Sequence, residues 1–383
     1  MAMTKIRWRR TWFQVHKWIG LILAILIIPL CLSGAALVWD GALDRAVNPA
    51  RYALSGDTRL SPDAYVAAAT ARLKPGERIA QLSLPDEGGP VIVSAAGAGK
   101  QVRPGPPQRT QIFLDPPTAR VLDVSAGGGL VRFLHILHGS LQIPGGWGRT
   151  IVGWIGVAMM LSAFTGLWLW WPTIGSLKRA FRWGRHRNLD TNIHQTFGFW
   201  IALPLFVLSL TGAWISFPRF VGALSGQTAP RGPDRMAQAR ARPVAATRLT
   251  VATAVDRATK LTAGTVRQVT WPTEKKPDWS VQVKPARGAP VAVSVADDSG
   301  VAALAPGPQG PGGQSRLMRQ IHEGSIGGPV WQVIVFLGGL LPAVLAITGV
   351  IMWWRARGWK AQLAARQRRK PVPGSAASPA GGF

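Results

Sequence analysis

The stretch His16-Lys17-Trp18-Ile19-Gly20 opens one long apolar segment of the chain, and His194-Gln195-Thr196-Phe197-Gly198 opens another. The agreement continues along both segments, because Ser33-Gly34 and Thr211-Gly212 each stand 17 and 18 residues after their histidine. Two segments that begin and end with the same residue types at the same spacing indicate an internal repeat.

A second pair of histidines follows the same rule. His138 precedes an apolar segment that ends near Thr165-Gly166, and His322 precedes one that ends near Thr348-Gly349. Four of the 6 histidines therefore occupy repeat-related positions. Ionisable residues in or near membrane spans are costly and usually functional, so this arrangement favours bound metal or haem over chance burial.

The composition indicates a membrane protein. Of the 383 residues 47% are hydrophobic and 16% are charged, whereas soluble proteins average roughly 25% charged residues. A helix of about 20 residues crosses a hydrocarbon core about 30 Å thick. We therefore predict four transmembrane helices from the stretches that contain no charged residue, which are Trp18–Trp39, Ile151–Trp171, Phe197–Phe217 and Val330–Trp354.

The net charge of +27 would suit a nucleic-acid-binding protein, but its distribution argues against that partner. Residues 1–17, 173–192 and 355–383 together hold 17 basic residues and one acidic residue. All three segments fall on one side of a four-span chain, which by the positive-inside rule places both termini in the cytoplasm. The first stretch is expected to be a retained span rather than a cleaved signal peptide, because its repeat partner lies inside the chain.

Two regions of about a hundred residues separate the spans on the non-cytoplasmic side. Each begins with a helical pattern, at Ser61–Ala69 and Leu249–Val255, and continues with strand-like runs, so each is predicted to be an α+β domain. The predicted division is 1–39 (cytoplasmic N-terminus and first span), 40–137 (first outer domain), 138–172 (second span with its approach), 173–192 (cytoplasmic loop), 193–217 (third span), 218–321 (second outer domain), 322–354 (fourth span with its approach) and 355–383 (cytoplasmic tail).

The repeat unit crosses the membrane an even number of times, so we predict parallel repeats related by an axis along the membrane normal. His16 and His194 would then lie near the cytoplasmic face, and His138 and His322 near the outer face. From His16 to Ser33 a helix rises about 25 Å, which is too far for the two layers to share one metal ion.

Each layer offers two imidazoles on facing helices, which is what a b-type haem needs as axial ligands. We therefore predict two b-type haems. Gly20 and Gly198 stand four residues after their histidines, on the same helix face, and are expected to leave room for the flat macrocycle. A packing role for the histidines, copied by gene duplication, is the alternative interpretation.

Two histidines stand outside this pattern. His135 shares a helix face with His138 and is an alternative ligand, or a contact for a propionate or a substrate, whereas His186 between two arginines is expected to be solvated. The sequence contains no Gly-x-Gly-x-x-Gly motif, so it carries no nucleotide-cofactor domain of this type. A separate electron donor is therefore expected, either a flavin- or NAD(P)H-dependent reductase or a membrane quinol.

Over residues 7–360 the chain resembles the PepSY-associated transmembrane family, whose better-known members are inner-membrane reductases of iron–siderophore uptake. The motifs that carry the resemblance are Trp12–Gly20, Phe113–Thr118, Leu137–Leu141, Gly148–Gly153, Ile321–Gly324 and Leu340–Gly349. The resemblance implies PepSY-type modules in the periplasm and haem ligands at His16, His138, His194 and His322. The chain departs from the family at one turn, where the usual Asp-x-x-Thr-Gly reads Asp115-Pro-Pro-Thr-Ala119.

The function that follows is a di-haem electron-transfer protein of the bacterial inner membrane that reduces a periplasmic acceptor, with a ferric siderophore as the expected substrate. Two alternatives remain open on the sequence. The chain could be a non-enzymatic PepSY protein that binds or restrains periplasmic partners, or a permease subunit for iron or siderophore.

Overall fold

The structure is a computed structural model and describes residues 2–85, 88–97, 109–171, 183–184, 186–224, 241–305 and 312–368. Much of the predicted cytoplasmic loop, including Lys178, Arg179, Arg182 and Arg185, lies outside the described residues. The tail beyond Arg368 lies outside them too.

Four long helices have the length and composition to cross a membrane, as the charge-free stretches predict. The candidate spans are Arg7–Leu37, Trp147–Trp170, Leu189–Ser216 and Gly328–Trp359. The described helices, in chain order, are α1 (Ala2–Leu37), α2 (Asp40–Val47), α3 (Pro62–Thr70), α4 (Leu130–Ser140), α5 (Trp147–Trp170), α6 (Leu189–Ser216), α7 (Pro218–Leu224), α8 (Val251–Leu261), α9 (Gly312–Glu323) and α10 (Gly328–Arg368). The chain is thus a membrane protein with four candidate transmembrane helices.

An antiparallel sheet occupies the two regions between spans. Its strands are β1 (Arg78–Ser83), β2 (Val91–Ala96), β3 (Arg109–Leu114), β4 (Val121–Ser125), β5 (Thr265–Thr270), β6 (Asp278–Lys284), β7 (Val291–Ala296) and β8 (Ala302–Leu304). Four of these strands, β3, β4, β6 and β7, coincide with strand-like runs in the sequence, at Gln111–Asp115, Ala119–Asp123, Trp279–Val283 and Val291–Val295. The structure adds the other four.

The two regions join into one eight-stranded sheet in the order β4-β3-β2-β1-β5-β6-β7-β8. The junction is an antiparallel pairing of β1 with β5, in which Leu82 stands opposite Val269. Each region supplies four consecutive strands, so the predicted α+β character is present in both. The sequence treats the regions as two domains, and the structure pairs them through their first strands.

One hydrophobic core lies between the sheet and the two helices α3 and α8. It contains Tyr65 and Ala69 from α3, Ala254 and Ala258 from α8, and inward-facing strand residues from both regions. The side chain of Trp279 is 1% exposed and its indole nitrogen donates to Asp297 at 2.8 Å. Because the core is continuous across β1 and β5, the two regions stabilise each other.

The turn between β3 and β4 is held by a buried carboxylate. Asp115 accepts hydrogen bonds from the backbone N–H of Ser55 at 2.8 Å and from the hydroxyls of Ser55 and Thr118. Burial alone would raise the pKa of Asp115, but these hydrogen bonds lower it. The turn ends at Ala119, whose φ of 54° lies in the left-handed region.

The chain divides into two compact units, each assembled from separate segments. The first contains Met1–Leu32, Ala158–Val207 and Leu337–Phe383, and the second contains Ser33–Val157 and Leu208–Phe336. The sheet belongs entirely to the second unit. His16 and His194 belong to the first unit, whereas His138 and His322 belong to the second.

Because the two regions share one core, we predict that a destabilising substitution in one region also destabilises the other. We expect Leu82→Ala to lower the free energy of unfolding of the sheet by about 2–5 kcal/mol, because it leaves a cavity at a fully buried site. In hydrogen-exchange mass spectrometry of the whole protein, amides of β6 and β7 should exchange faster, together with those of β2 and β3.

The matched control is Leu304→Ala, because Leu304 is 60% exposed on the edge strand β8 and its loss should change stability by less than about 0.5 kcal/mol. Faster exchange confined to β2 and β3 in Leu82→Ala would contradict a single cooperative sheet.

The left-handed conformation of two turn residues leads to a second prediction about the stability of the sheet. Ala119 and Gly300 each close a turn with positive φ, 54° and 69°, and in each turn the N–H donates to the carbonyl four residues earlier. We expect Ala119→Gly to stabilise the sheet by up to about 1 kcal/mol, and Gly300→Ala to destabilise it by a similar amount. Thermal unfolding of the purified protein checks both, and an unchanged or lower melting temperature for Ala119→Gly would refute the assignment of strain.

Candidate functional site

The first histidine pair consists of His16 on α1 and His194 on α6. The centroids of the two rings are 6.3 Å apart, and the ring planes are nearly perpendicular, at 88°. The sequence predicts that these two residues face each other, and the structure brings them together within the first unit.

The Nδ1 atom of His16 is tethered to α5. It lies 3.2 Å from the carbonyl oxygen of Ser162 and 3.1 Å from the hydroxyl oxygen of Thr165. The Thr165 hydroxyl is itself 2.8 Å from the carbonyl of Leu161, to which it donates. A carbonyl can only accept, and a hydroxyl has one proton to give. Nδ1 of His16 is therefore the protonated nitrogen, and Nε2 carries the lone pair.

His194 repeats this arrangement on α10. Its Nδ1 atom lies 3.0 Å from the hydroxyl oxygen of Thr348, and the backbone carbonyl of Leu345 is a second partner. The Thr348 hydroxyl donates to the carbonyl of Val344 at 2.9 Å. Both rings of the first pair thus carry their proton on Nδ1 and offer Nε2 as an acceptor. Two acceptors cannot bond to each other, so neither ring satisfies the Nε2 lone pair of the other.

Each ring also packs against a glycine next to its threonine. A methyl group at Gly166 would lie 3.1 Å from Cε1 of His16, and one at Gly349 would lie 3.4 Å from Cε1 of His194. The glycine lets the ring lie close to the helix and reach the hydroxyl and the carbonyl, more tightly at Gly166 than at Gly349. The Thr-Gly dipeptide therefore acts as a cradle for the imidazole.

An ion pair holds the same two helices together beside His194. Asp190, one helical turn before His194, binds Nη1 of Arg355 at 2.5 Å, and Nη2 of Arg355 donates to the hydroxyl of Thr191 at 3.0 Å. Arg355 lies on α10 two turns beyond Thr348, so these contacts fix α6 against the helix that receives the His194 ring.

The second histidine pair consists of His138 on α4 and His322 on α9. Their ring centroids are 6.0 Å apart, with 40° between the planes. The Nδ1 atom of His322 donates to the carbonyl of Leu208 at 3.0 Å and approaches the hydroxyl oxygen of Thr211 at 3.1 Å. The sequence predicts this pair as well, and both residues lie within the second unit.

The second pair uses the same glycine contact. A methyl group at Gly212 would lie 3.0 Å from Cε1 of His322, and one at Gly34 would lie 2.6 Å from Cε1 and 2.9 Å from Nδ1 of His138. Burial, together with the neighbouring His138, lowers the pKa of His322 to about 4. The His322 ring is therefore neutral near pH 7.

The two remaining histidines lie outside the pairs. His135, the alternative ligand, is exposed, and its Nδ1 atom bonds to the carbonyl of Val131 on its own helix at 3.0 Å. His186 is not the solvated residue that the sequence predicts. It is half-buried, its Nε2 atom lies 2.8 Å from the side-chain oxygen of Gln195, and its backbone bonds twice to the side chain of Asn192.

The spacing of both pairs fits a metal ion bound between two imidazoles. A ring nitrogen binds a transition metal at about 2 Å and lies about 1 Å from the ring centre, so two rings on opposite sides of one ion have centroids about 6 Å apart. Within the described residues, no group of three or more His, Cys, Asp or Glu side chains could hold a bare ion. Haem iron needs only two axial ligands from the protein, because the porphyrin supplies the others.

The two glycines that follow the first pair of histidines are not crowded. A methyl group at Gly20 would meet nothing within 4 Å, and one at Gly198 would meet only Cδ1 of Leu345, at 3.9 Å. The expected role of these two glycines, to leave room for a macrocycle, stays a prediction. The two pairs and the open glycines fit a haem in chemistry and in spacing.

The cradle residues were visible in the sequence only as repeated dipeptides. The sequence alone does not reveal their role, because each cradle contacts a histidine that is distant in the chain. Thr165 contacts His16, and Thr211 contacts His322. The signal was present in the recurrence of a hydroxyl residue followed by glycine in all four spans, as Ser33-Gly34, Thr165-Gly166, Thr211-Gly212 and Thr348-Gly349.

A comparison with protein families and with curated proteins places the chain. The family model described as the PepSY-associated TM region matches residues 13–356. No curated protein matches the chain significantly. The family match includes all four histidines of the two pairs, all four cradles and the entire sheet. The chain therefore belongs to the PepSY-associated transmembrane family.

Proposed function

We propose that this protein is a di-haem transmembrane electron-transfer protein that reduces a ferric siderophore. The observation that carries the proposal is the pair of imidazoles about 6 Å apart in each unit, together with the Nδ1 tethers to carbonyl and hydroxyl oxygens of a neighbouring helix. Partners on the second ring nitrogen are typical of metal-binding histidines, because they orient the ring and fix its tautomer.

Two b-type haems are the proposed cofactors. His16 and His194 would hold one, and His138 and His322 the other. Haem held by two imidazoles takes up and gives up single electrons without binding oxygen. The threonines and glycines of the cradles set the ring orientation, and Gly20 and Gly198 leave room beside the first pair.

The proposed location is the bacterial inner membrane, with both termini in the cytoplasm and the sheet in the periplasm. The distribution of basic residues supports this orientation, since residues 1–17 and 355–383 carry 12 basic residues and no acidic residue. In this orientation the first pair lies toward the cytoplasm and the second pair toward the periplasm, as a protein that exports electrons requires.

The proposed reaction transfers one electron to each ferric ion. A separate donor supplies the electron, and either a flavin- or NAD(P)H-dependent reductase or a membrane quinol meets this need. Fe(II) binds hard oxygen ligands less strongly than Fe(III), so reduction of a ferric siderophore releases its iron. The substrate assignment is supported by the family resemblance and by the histidine pairs.

A visible spectrum separates this function from a non-enzymatic PepSY role or a permease role. We expect purified protein to show a b-type spectrum with about two haems per chain. His16→Ala and His194→Ala should each remove the same haem, and His138→Ala and His322→Ala the other, because each pair shares one iron. Haem content per chain and the spectrum of each variant measure this.

The matched controls are His135→Ala and His186→Ala, which should both keep two haems because neither residue belongs to a pair. A colourless protein that has been supplied with excess haem would refute the proposed function. Loss of both haems, or of neither, in His16→Ala would refute the assignment of ligands to pairs.

The glycine cradles predict a graded effect of adding one methyl group. Gly34→Ala should displace the His138 ring and remove the haem of the second pair, because the added carbon would lie 2.6 Å from Cε1. Gly349→Ala should retain the haem of the first pair, because its contact of 3.4 Å is close to ordinary van der Waals distance. Haem occupancy of each site, measured by spectral titration, tests the order.

Gly139→Ala provides the control beside His138, since a methyl group there would meet nothing within 4 Å. It should keep both haems. Equal haem loss in Gly34→Ala and Gly349→Ala would contradict the cradle geometry, even if both proteins still bind haem weakly.

A further inference from the structure

Arg149, in the first turn of α5, is a cation without an acidic partner among the described residues. Its guanidinium donates to the backbone carbonyl of Ile215 near the end of α6. No carboxylate of the described chain forms an ion pair with it. A guanidinium has five N–H donors, so most of its hydrogen-bonding capacity remains unused by Ile215.

A second cation lies close by and makes the region more positive. Arg319 on α9 acts electrostatically on both Arg149 and His322. Its guanidinium binds the carboxylate of Glu323 at 3.0 Å, and both side chains are about half exposed. Arg319 is therefore close enough to interact electrostatically with both Arg149 and the second histidine pair.

A third donor, on the stretch of α6 that contacts His322 and Arg149, lacks a partner. Nε1 of Trp214 is buried and makes no hydrogen bond. Trp214 lies three residues after Thr211, which holds His322, and next to Ile215, which holds Arg149. An indole nitrogen is only a donor, and buried tryptophan N–H groups usually find an acceptor. Leaving such a donor unpaired at membrane depth is costly.

We propose that Arg149, Arg319 and the indole N–H of Trp214 form a carboxylate-binding site beside the second histidine pair. Both arginines are exposed and able to receive an anion, and the buried indole N–H lacks the acceptor that such a donor usually finds. Arginine binds carboxylates through paired, charge-assisted hydrogen bonds. The carboxylate belongs either to a propionate of the haem held by His138 and His322 or to an anionic iron chelate. The inference rests on the proposed function.

The first arm of the test asks whether the anion is a haem propionate. Apoprotein is titrated with haem and with haem dimethyl ester, whose propionates carry no charge, and binding to the second pair is followed in the His16→Ala background. With Arg149 intact, we expect the affinity for haem to exceed the affinity for the diester by about ten- to a hundredfold. This is the effect of a charge-assisted hydrogen bond. Arg149→Gln and Trp214→Phe should each reduce this preference.

The second arm asks whether the anion is a chelate. The reduced protein is mixed with ferric citrate, which carries carboxylates, and with an uncharged ferric trihydroxamate. If the site binds the chelate, Arg149→Gln slows reoxidation by ferric citrate about tenfold or more and leaves the trihydroxamate rate unchanged. Arg149→Lys, which keeps the charge, should restore part of the rate and guards against a variant that merely misfolds.

The matched control is Arg316→Gln, because Arg316 is an exposed arginine one turn before Arg319 on the same helix. The carboxylate site is supported if Arg149→Gln alters the haem preference or the ferric citrate rate and Arg316→Gln does not. An effect in the first arm identifies the carboxylate as a haem propionate, and an effect in the second arm identifies it as part of the chelate. Haem bound by the second pair with no preference in either arm overturns the site alone. Failure of the parent protein to bind any haem overturns the proposed function together with the site.

Discussion

The hydrogen bond from a histidine Nδ1 atom to a carbonyl and a threonine hydroxyl on another helix is the interaction on which both sites depend. It determines the ring tautomer, because the carbonyl can only accept and the threonine proton is already given to its own helix. It also joins helices, since α1 is tied to α5 through His16, and α6 to α10 through His194. The same hydrogen bonds therefore orient the histidine rings and hold the helices together.

Glycine is required in the cradles for a reason separate from backbone flexibility. Transmembrane helices associate through close packing and polar contacts, because lipid gives no hydrophobic drive between them. A glycine next to the hydroxyl residue lets an imidazole lie flat against the helix, where it can reach groups that a larger side chain would cover. The threonine supplies the polar contact and the glycine allows the close approach, most strictly where the contact is tightest, as at Gly34.

The sequence predicts the histidine pairs but not the cradles, and the difference is physical. The pairs follow from spacing and topology along one chain, as His16 and His194 show. Which helix receives each ring depends on packing between distant segments, as in the contact of His16 with Thr165, and no local pattern encodes it.

The same holds for the sheet. Strands such as β3 and β6 can be predicted from the local alternation of apolar residues. The pairing of Leu82 with Val269 cannot, because it joins strands far apart in the chain. The predicted parallel repeat remains a prediction.

The first pair is arranged differently from two histidines that serve only to join helices. If they served only to join helices, one ring would be expected to donate to the other and satisfy both. Instead, the tethers place the proton of His16 and of His194 on Nδ1, so both Nε2 atoms are acceptors. Rings with centroids 6.3 Å apart and like polarity gain nothing from each other. A metal ion between them would take both lone pairs at about 2 Å, which is the role proposed for the haem iron. The same tethers that join the helices thus leave both Nε2 lone pairs available, which supports the proposed axial ligation.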